Sequence, residues 1–496
     1  AYGQSQQGLS ERATLFISGD NILLDREMQA AIKEPELKNA WNTFSPSGRM
    51  NFQSRVEIVP DAAPDVDVTV TALGCSVHPT FFPYALEGVT GSVRYAQRWV
   101  HAQKMQARHG QTVLSINEGK AYLKPNGGVW VDLSYLRGSP LVIDEQLISA
   151  LPPVLARSCR GLGVQGPVDL KTHVTVDSDP RLGEWPIVFW DGELGVRSTR
   201  LELGVPLTNV TGRAACRGRY NGQQLEGLVG NVLLDHVTLY QQPFHNVQSQ
   251  IEVSQKDPDV LILPGLKADL FGGQVYGPVR IEFGSRVRYE LNLTASRIKL
   301  EEFGRHNLEA NTPLSGLASA QVYLTGQGSD LAALNGRGSI DVPNGRLYYL
   351  PVLLDLLKFL GLRLPDGTAF EEAHSDFTIR GNRVIVNRID LYGNSISLRG
   401  QGEMNLDGTD LNLEFYAVWA RILQLLPPII KDIPPTISKY LLKVRMRGDV
   451  GNVKLSKEPV PIVVEPLRDF LDSLPGRRKR DRQATPRRQI GSSSGG

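Results

Sequence analysis

The chain has 496 residues, 41% of them apolar, with 49 glycines and 31 prolines in no triplet repeat, which excludes collagen and low-complexity sequence and suits many short strands joined by turns. Its 54 basic residues against 52 acids give a net charge of +2. Seven of those bases crowd into residues 476–489 beside one acid, so the rest is slightly acidic and offers no basic face to nucleic acid.

In chain order, residues 13–17 predict a strand. Residues 22–40 predict a helix, with Leu23, Leu24, Met28, Ile32 and Leu37 near helical spacing. Strand-like alternation begins at Met50 with Phe52, Val56 and Ile58, and further runs follow at 66–73, 91–95, 113–116 and 129–133. A second copy follows 118 to 121 residues later. There 141–144 echoes 22–25, Gly166, Val168, Leu170 and Val174 echo Gly48, Met50, Phe52 and Val56, and Leu207, Val210 and Gly212 echo Leu86, Val89 and Gly91. Residues 1–136 and 137–256 are therefore expected to be two β-groove units that extend one sheet, as solenoid repeats do. The alternative is two unrelated β domains with similar turns.

Residues 257–458 are expected to form a third β module. Strand signal is dense at 263–270, 275–283, 287–293, 322–324 and 338–342, and strictest after Phe377. Phe377, Ile379, Ile396, Leu398, Met404, Leu406, Leu411, Leu413 and Phe415 recur with period two between polar residues, giving one apolar face. Gly381-Asn382, Gly393-Asn394 and Asp407-Gly408 suit tight hairpin turns. Alternation breaks at 384–386 and resumes at Ile389, which places a bulge there.

Residues 350–362 interrupt the meander with a leucine-rich helix, opened by Pro351 and carrying Leu353, Leu356, Leu357 and Leu360. Such a helix caps an apolar sheet face or touches a membrane. Two more apolar helical pieces are expected at 419–426, with Leu425 and Leu426, and at 433–442, split by proline pairs. A closing strand pair at 444–455 precedes residues 459–496, read as a short amphipathic turn and a disordered basic tail. There Arg477, Arg478, Lys479 and Arg480 are candidates for contact with an anionic surface.

Catalytic signatures are missing. Gly161, Gly163 and Gly166 fit G-x-G-x-x-G, but a strand follows where a dinucleotide site needs a helix N-terminus. The eight histidines form no zinc-hydrolase pair, and neither a nucleophile elbow nor a P-loop occurs. Glu371, Glu372, His374 and Asp376 read as a solvated loop. Cys75, Cys159 and Cys216 are odd in number, without metal spacing, and read as small core residues. No enzyme activity, cofactor or metal is expected.

Residues 260–455 resemble the C-terminal module of AsmA-like proteins, the envelope family of double-membrane bacteria that includes TamB and YhdP. The resemblance is carried by Phe271-Gly272-Gly273-Gln274-Val275-Tyr276-Gly277, by Leu334-Asn335-Gly336-Arg337-Gly338-Ser339-Ile340 leading into Asn344-Gly345-Arg346-Leu347, by Leu350-Pro351, and by 398–402 through 407–411. It implies a mainly β fold: an elongated, twisted antiparallel β-sheet groove, open like a folded shell or solenoid-like, with a few short capping amphipathic helices. It also implies acyl-chain transport between membranes and a periplasmic place, anchored in the inner membrane by a segment missing upstream of Ala1. The nine alternating residues from Phe377 to Phe415 are then the candidate groove lining. The partners expected are phospholipid acyl chains, a membrane at one or both ends and other envelope proteins, and no nucleic acid. The alternative function is a structural or assembly factor that binds envelope proteins through the sheet.

Physical reasoning supports such a groove. Strands lie about 4.8 Å apart, so roughly 30 of them would make a trough on the order of 140 Å long. Two sixteen-carbon chains in it would gain roughly 25 kcal/mol gross at about 0.8 kcal/mol per methylene. That is comparable to what they have in a bilayer, so lipid would slide at little net cost.

Overall fold

The computed structural model describes residues 13–59, 64–181, 185–308, 312–347, 349–360, 370–394, 396–419 and 441–459. The protein is mainly β, with 67% strand and 12% helix, and its 24 strands belong to an antiparallel sheet that stays open rather than closing into a barrel. Two compact units divide the chain: Ala1–Ala268 with Pro278–Tyr289, and Asp269–Gly277 with Glu290–Gly496.

The first unit starts with β1 (Ala13–Leu24), α1 (Arg26–Ala31) and α2 (Pro35–Phe44). Six strands follow: β2 (Gly48–Ile58), β3 (Asp65–Val77), β4 (Leu86–Ala96), β5 (Trp99–His109), β6 (Thr112–Leu123) and β7 (Val129–Leu141). The same order then recurs as α3 (Glu145–Ala150), α4 (Pro153–Leu162), β8 (Val168–Ser178), β9 (Ile187–Glu202), β10 (Pro206–Asn221), β11 (Leu225–Leu239), β12 (Gln242–Ser254) and β13 (Val260–Leu270). From β1 to β12 each strand pairs antiparallel with the next.

The recurrence reaches the helix caps. The Asp25 carboxylate accepts the Met28 N–H, and the Asp144 carboxylate accepts the Leu147 N–H. Both second helices carry proline in the first turn and end on a left-handed residue, Ser45 (φ 42°) and Gly163 (φ 51°). The single helix predicted over 22–40 is thus two helices. The strand runs on to Leu24, Asp25 caps the first helix, and the chain restarts at Pro35, since proline begins a helix more readily than it continues one. Gly161 and Gly163 close α4 instead of opening a phosphate loop, and the Phe283 ring lies against Gly161.

Bulges cross the first unit in a line. Gly74, Gly88, Gly91, Lys104, Tyr135, Ser198, Asn209, Gly212 and Asn246 all have positive φ. Each lies at the middle of its strand or nearer the margin where the helices enter, and the register slips at many of them. A bulge reverses which face a side chain takes. Ile116 and Gly119, three apart, consequently share a face: a Cβ on Gly119 would stand 3.0 Å from Ile116 Cδ1. Apolar residues stay on one face through both halves of the strands, although strict alternation fails in sequence.

The chain crosses between the units in β14 (Gly273–Glu282) and β15 (Arg288–Lys299). The second unit continues with α5 (Leu300–Asn307), β16 (Ser315–Gln327), β17 (Asp330–Val342), β18 (Gly345–Arg346), α6 (Pro351–Phe359), β19 (Glu372–Arg380), β20 (Arg383–Tyr392), β21 (Ile396–Asn405), β22 (Leu411–Trp419), β23 (Leu441–Asp449) and β24 (Asn452–Pro459). Its ladder runs β16-β17-β19-β20-β21-β22-β23-β24, all antiparallel. The predicted bulge is present: Asp376 pairs with Arg388 and Phe377 with Val386, leaving Asn387 over. The leucine-rich helix and the closing strand pair also form. Most of 419–442 lies outside the described residues, but Trp419 ends β22 and Leu442 belongs to β23, so those ends are strand, not helix.

One device recurs in both units. Trp190 lies over its cross-strand partner Gly218, Phe377 over Gly338, and Phe415 over Gly400. A Cβ on each glycine would come within 2.3 to 2.5 Å of the ring, so the aromatic covers a backbone that has no side chain of its own.

Candidate functional site

The nine alternating residues of the second unit were the expected lining, and the registers place eight of them on one face. Phe377 and Ile379 meet Val386 and Val384, which meet Gly402 and Met404; Leu398 meets Ala417, Leu413 meets Met446, and Phe415 meets Val444. Leu406 departs from this: it lies in the turn after β21, its N–H donates to the Asn382 carbonyl, and it is 39% exposed. The strand stops at Asn405, and Asp407-Gly408 reverse the chain, so the periodicity runs one residue past the element it describes.

That face is packed. Ile396, Leu398, Leu411, Leu413, Phe415, Val444 and Met446 join Leu353, Leu356 and Leu357 of α6 in one cluster, with Phe370 and Leu347 beside them. Leu398, Leu356 and Leu357 are 0% exposed. Leu360, at the helix end, and Met404 are partly buried against the same cluster. The helix therefore caps the face, and these side chains fill a core. Leu425, Leu426, Arg477, Arg478, Lys479 and Arg480 lie outside the described residues.

On the reverse face of the second unit the strands carry a charge ladder that the sequence hid. Asp341, His374, Asp390, Arg399, Tyr416, Lys443 and Glu458 are successive cross-strand neighbours over seven strands. The segment holding Glu372, His374 and Asp376 is strand β19, not a loop. Asp390 is fully buried and accepts from Arg399 Nε and Nη2 at 2.5 and 2.8 Å and from the Tyr392 hydroxyl at 3.2 Å, with Arg388 Nε at 3.0 Å. His374 stands between Asp341 (2.5 Å) and Asp376 (2.9 Å). Partial burial opposes its charge, but the two carboxylates outweigh that and hold its pKa above the ordinary value. At Glu414, burial is likewise outweighed by Lys443 and Arg445, which hold its carboxyl below the usual range.

The first unit has an apolar face of a different kind. One cross-strand row runs Gly19, Phe52, Val70, Val93, Ala102, Gly119, Leu133, Val174, Trp190, Gly218, Leu228 and Val253, one residue from each of β1 to β12. No charged side chain and no hydroxyl or amide interrupts it. The adjacent row on the other face is Ser18, Gln53, Thr69, Arg94, His101, Lys120, Asp132, Thr175, Phe189, Arg219, Gly227 and Ser254, polar or glycine except for Phe189.

Helices cover only parts of the apolar face. Leu37 and Ala40 of α2, with Phe81, pack on Tyr95, Ala121, Leu123, Val129 and Val131. Leu147 of α3 packs with Leu141, Val168, Val196, Val210 and Val237. Leu162 of α4 packs with Ile281, Phe283 and Val287, and Arg157 clamps Asp259 through both Nε and Nη2. Phe52, Val70, Val93, Ala102, Leu133, Val174, Trp190 and Leu228 remain only partly buried. Isolated exposed apolar residues are ordinary, whereas a continuous row of them marks a surface that meets something apolar.

The described residues hold no group of three or more His, Cys, Asp or Glu side chains placed to bind a metal, and no helix among them is long and apolar enough to cross a membrane. The three cysteines are free; burial pushes the Cys159 thiol up to about 11 and raises that of Cys216. Compared with known proteins, the chain matches no protein-family model and no curated protein.

Proposed function

We propose that the protein is a non-enzymatic lipid-handling protein of the bacterial envelope, AsmA-like in kind, that holds phospholipid acyl chains against the apolar sheet face of its first unit. The observation that carries this reading is the twelve-strand row from Gly19 to Val253, apolar throughout and mostly left partly open. Water on such a row is unfavourable, and each methylene laid on it gains about 0.8 kcal/mol when fully buried. The row runs across the strands, so a chain following it meets an apolar side chain or a glycine at every step of about 4.8 Å. No step offers a polar trap, which suits movement better than tight retention.

The test is lipid extraction and mass spectrometry of the purified full chain, alongside the double variant Leu133→Asp with Val174→Asp. These two are direct cross-strand partners on the apolar face. The variant is expected to lose about a hundredfold or more in copurifying phospholipid, each aspartate costing a few kcal/mol beside a hydrocarbon chain. Thr175→Asp, on the opposite face, should retain it. A wild-type chain that is soluble and lipid-free in detergent-free buffer contradicts the reading.

A further inference from the structure

Two of the eight histidines, nine residues apart and in no sequence motif, meet across one hairpin. His236 of β11 and His245 of β12 are direct cross-strand partners, and their Nδ1 atoms stand 3.4 Å apart. The neighbouring pair, Val237 and Phe244, packs inward with Leu234 and Val247 against Val168 and Val210, so both imidazoles take the opposite, polar face. Leu234 and Val237 share a face although three apart, because the register slips beside Asp235; Asn246, between Phe244 and Val247, has φ 50°. Two imidazole lone pairs this close repel unless a proton or a metal ion lies between them. A shared proton would draw the nitrogens to about 2.9–3.0 Å. Two nitrogens bound at about 2.05 Å to a tetrahedral zinc ion stand about 3.3 Å apart, whereas the right angle of a square-planar or octahedral ion brings them to about 2.9 Å. The other ring nitrogen of His236, Nε2, lies 3.2 Å from the Thr238 hydroxyl, which also accepts from Asn209 Nδ2 at 3.5 Å. A proton donated there leaves the Nδ1 lone pair free, the usual way in which a metal-binding histidine is oriented.

We infer that His236 and His245 hold a zinc ion through their Nδ1 atoms on the polar face of the first unit, with water in the two remaining positions. Imidazole nitrogens suit zinc, whereas magnesium and calcium take oxygen ligands. Two neutral ligands make a weaker site than the three or four of a resident catalytic or structural zinc, so the ion binds reversibly at micromolar concentration.

Zinc titrated into the full chain against a chromophoric chelator should reveal one site with a Kd of about 10 μM. His236→Asn and His245→Asn should each weaken it by about a hundredfold, since the loss of either ligand breaks the chelate. Both variants should keep the wild-type urea midpoint, because neither imidazole belongs to the core beneath. Thr238→Val removes the hydroxyl that orients His236 and should weaken zinc binding by about tenfold. His374→Asn, at the histidine held between Asp341 and Asp376, should bind zinc as the wild type does. No binding at about 100 μM zinc, or a site that survives unchanged in both His236→Asn and His245→Asn, overturns the proposal. Loss of the site in His374→Asn overturns it as well. The titration needs no lipid, so its outcome is independent of the acyl-chain reading.

Discussion

The two units carry the same kind of sheet face and treat it differently. In the second, alternation is regular in β19, β21 and β22 and interrupted by the bulge at Asn387 in β20, α6 lies over the strands, and Leu356, Leu357, Leu398 and Phe415 are at most 1% exposed. In the first, alternation is broken by bulges, the helices cover patches, and the row through Leu133 and Val174 stays partly open. A one-sided sheet must bury its apolar face or present it. The clearer pattern in sequence belongs to the face that the protein seals for itself, and the less clear one to the face that stays partly open.

The largest expected effect that separates the units lies beneath the charge ladder. Asp390→Ala removes the buried carboxylate that accepts from Arg399 Nε and Nη2 and should destabilise the protein by about 3–5 kcal/mol, measured by urea denaturation. Leu398→Ala opens a cavity in the sealed core and should cost about 2–5 kcal/mol. By the same logic Leu398→Asp with Leu413→Asp should unfold the second unit rather than empty a groove. Val174→Ala should cost under about 1 kcal/mol, because less area leaves water there on folding. A cost at Val174 equal to that at Leu398 would erase the distinction.

The smallest effect is a pH dependence. Because His374 has a raised pKa when folded, its contribution is full below about pH 6.5, the ordinary unfolded value, and fades as pH climbs through the folded value. Partial exposure keeps it under about 1 kcal/mol. His374→Asn should flatten stability across that window, and an unchanged slope would show that the carboxylates do not hold the proton.

Much of the fold is legible in sequence, for reasons visible in the residues. Period-two alternation marks β19 to β22, glycine-asparagine and aspartate-glycine pairs mark their turns, and even the bulge at Asn387 leaves a trace. The repeat survives because Asp25 and Asp144 perform the same capping task. What was hidden has physical causes too. Strand β5 reads Trp-Val-His-Ala-Gln-Lys-Met-Gln-Ala-Arg-His, where two of the inward residues are alanines and Lys104 marks a change of parity. The apolar row of the first unit is assembled from one residue per strand, and cross-strand register has no linear signature. Burial is hidden for the same reason: nothing in Leu398 itself says that α6 covers it and leaves Val174 open.

The most direct test puts a cysteine-attached environment-sensitive fluorophore at position 174, at 175 and at 398 in turn, and adds phospholipid brominated along its acyl chains. Val174→Cys should be quenched strongly, Thr175→Cys on the opposite face hardly at all, and Leu398→Cys only if the second unit has come apart. Equal quenching at 174 and 175, or none at 174, would contradict an acyl chain lying on the open face of the first unit.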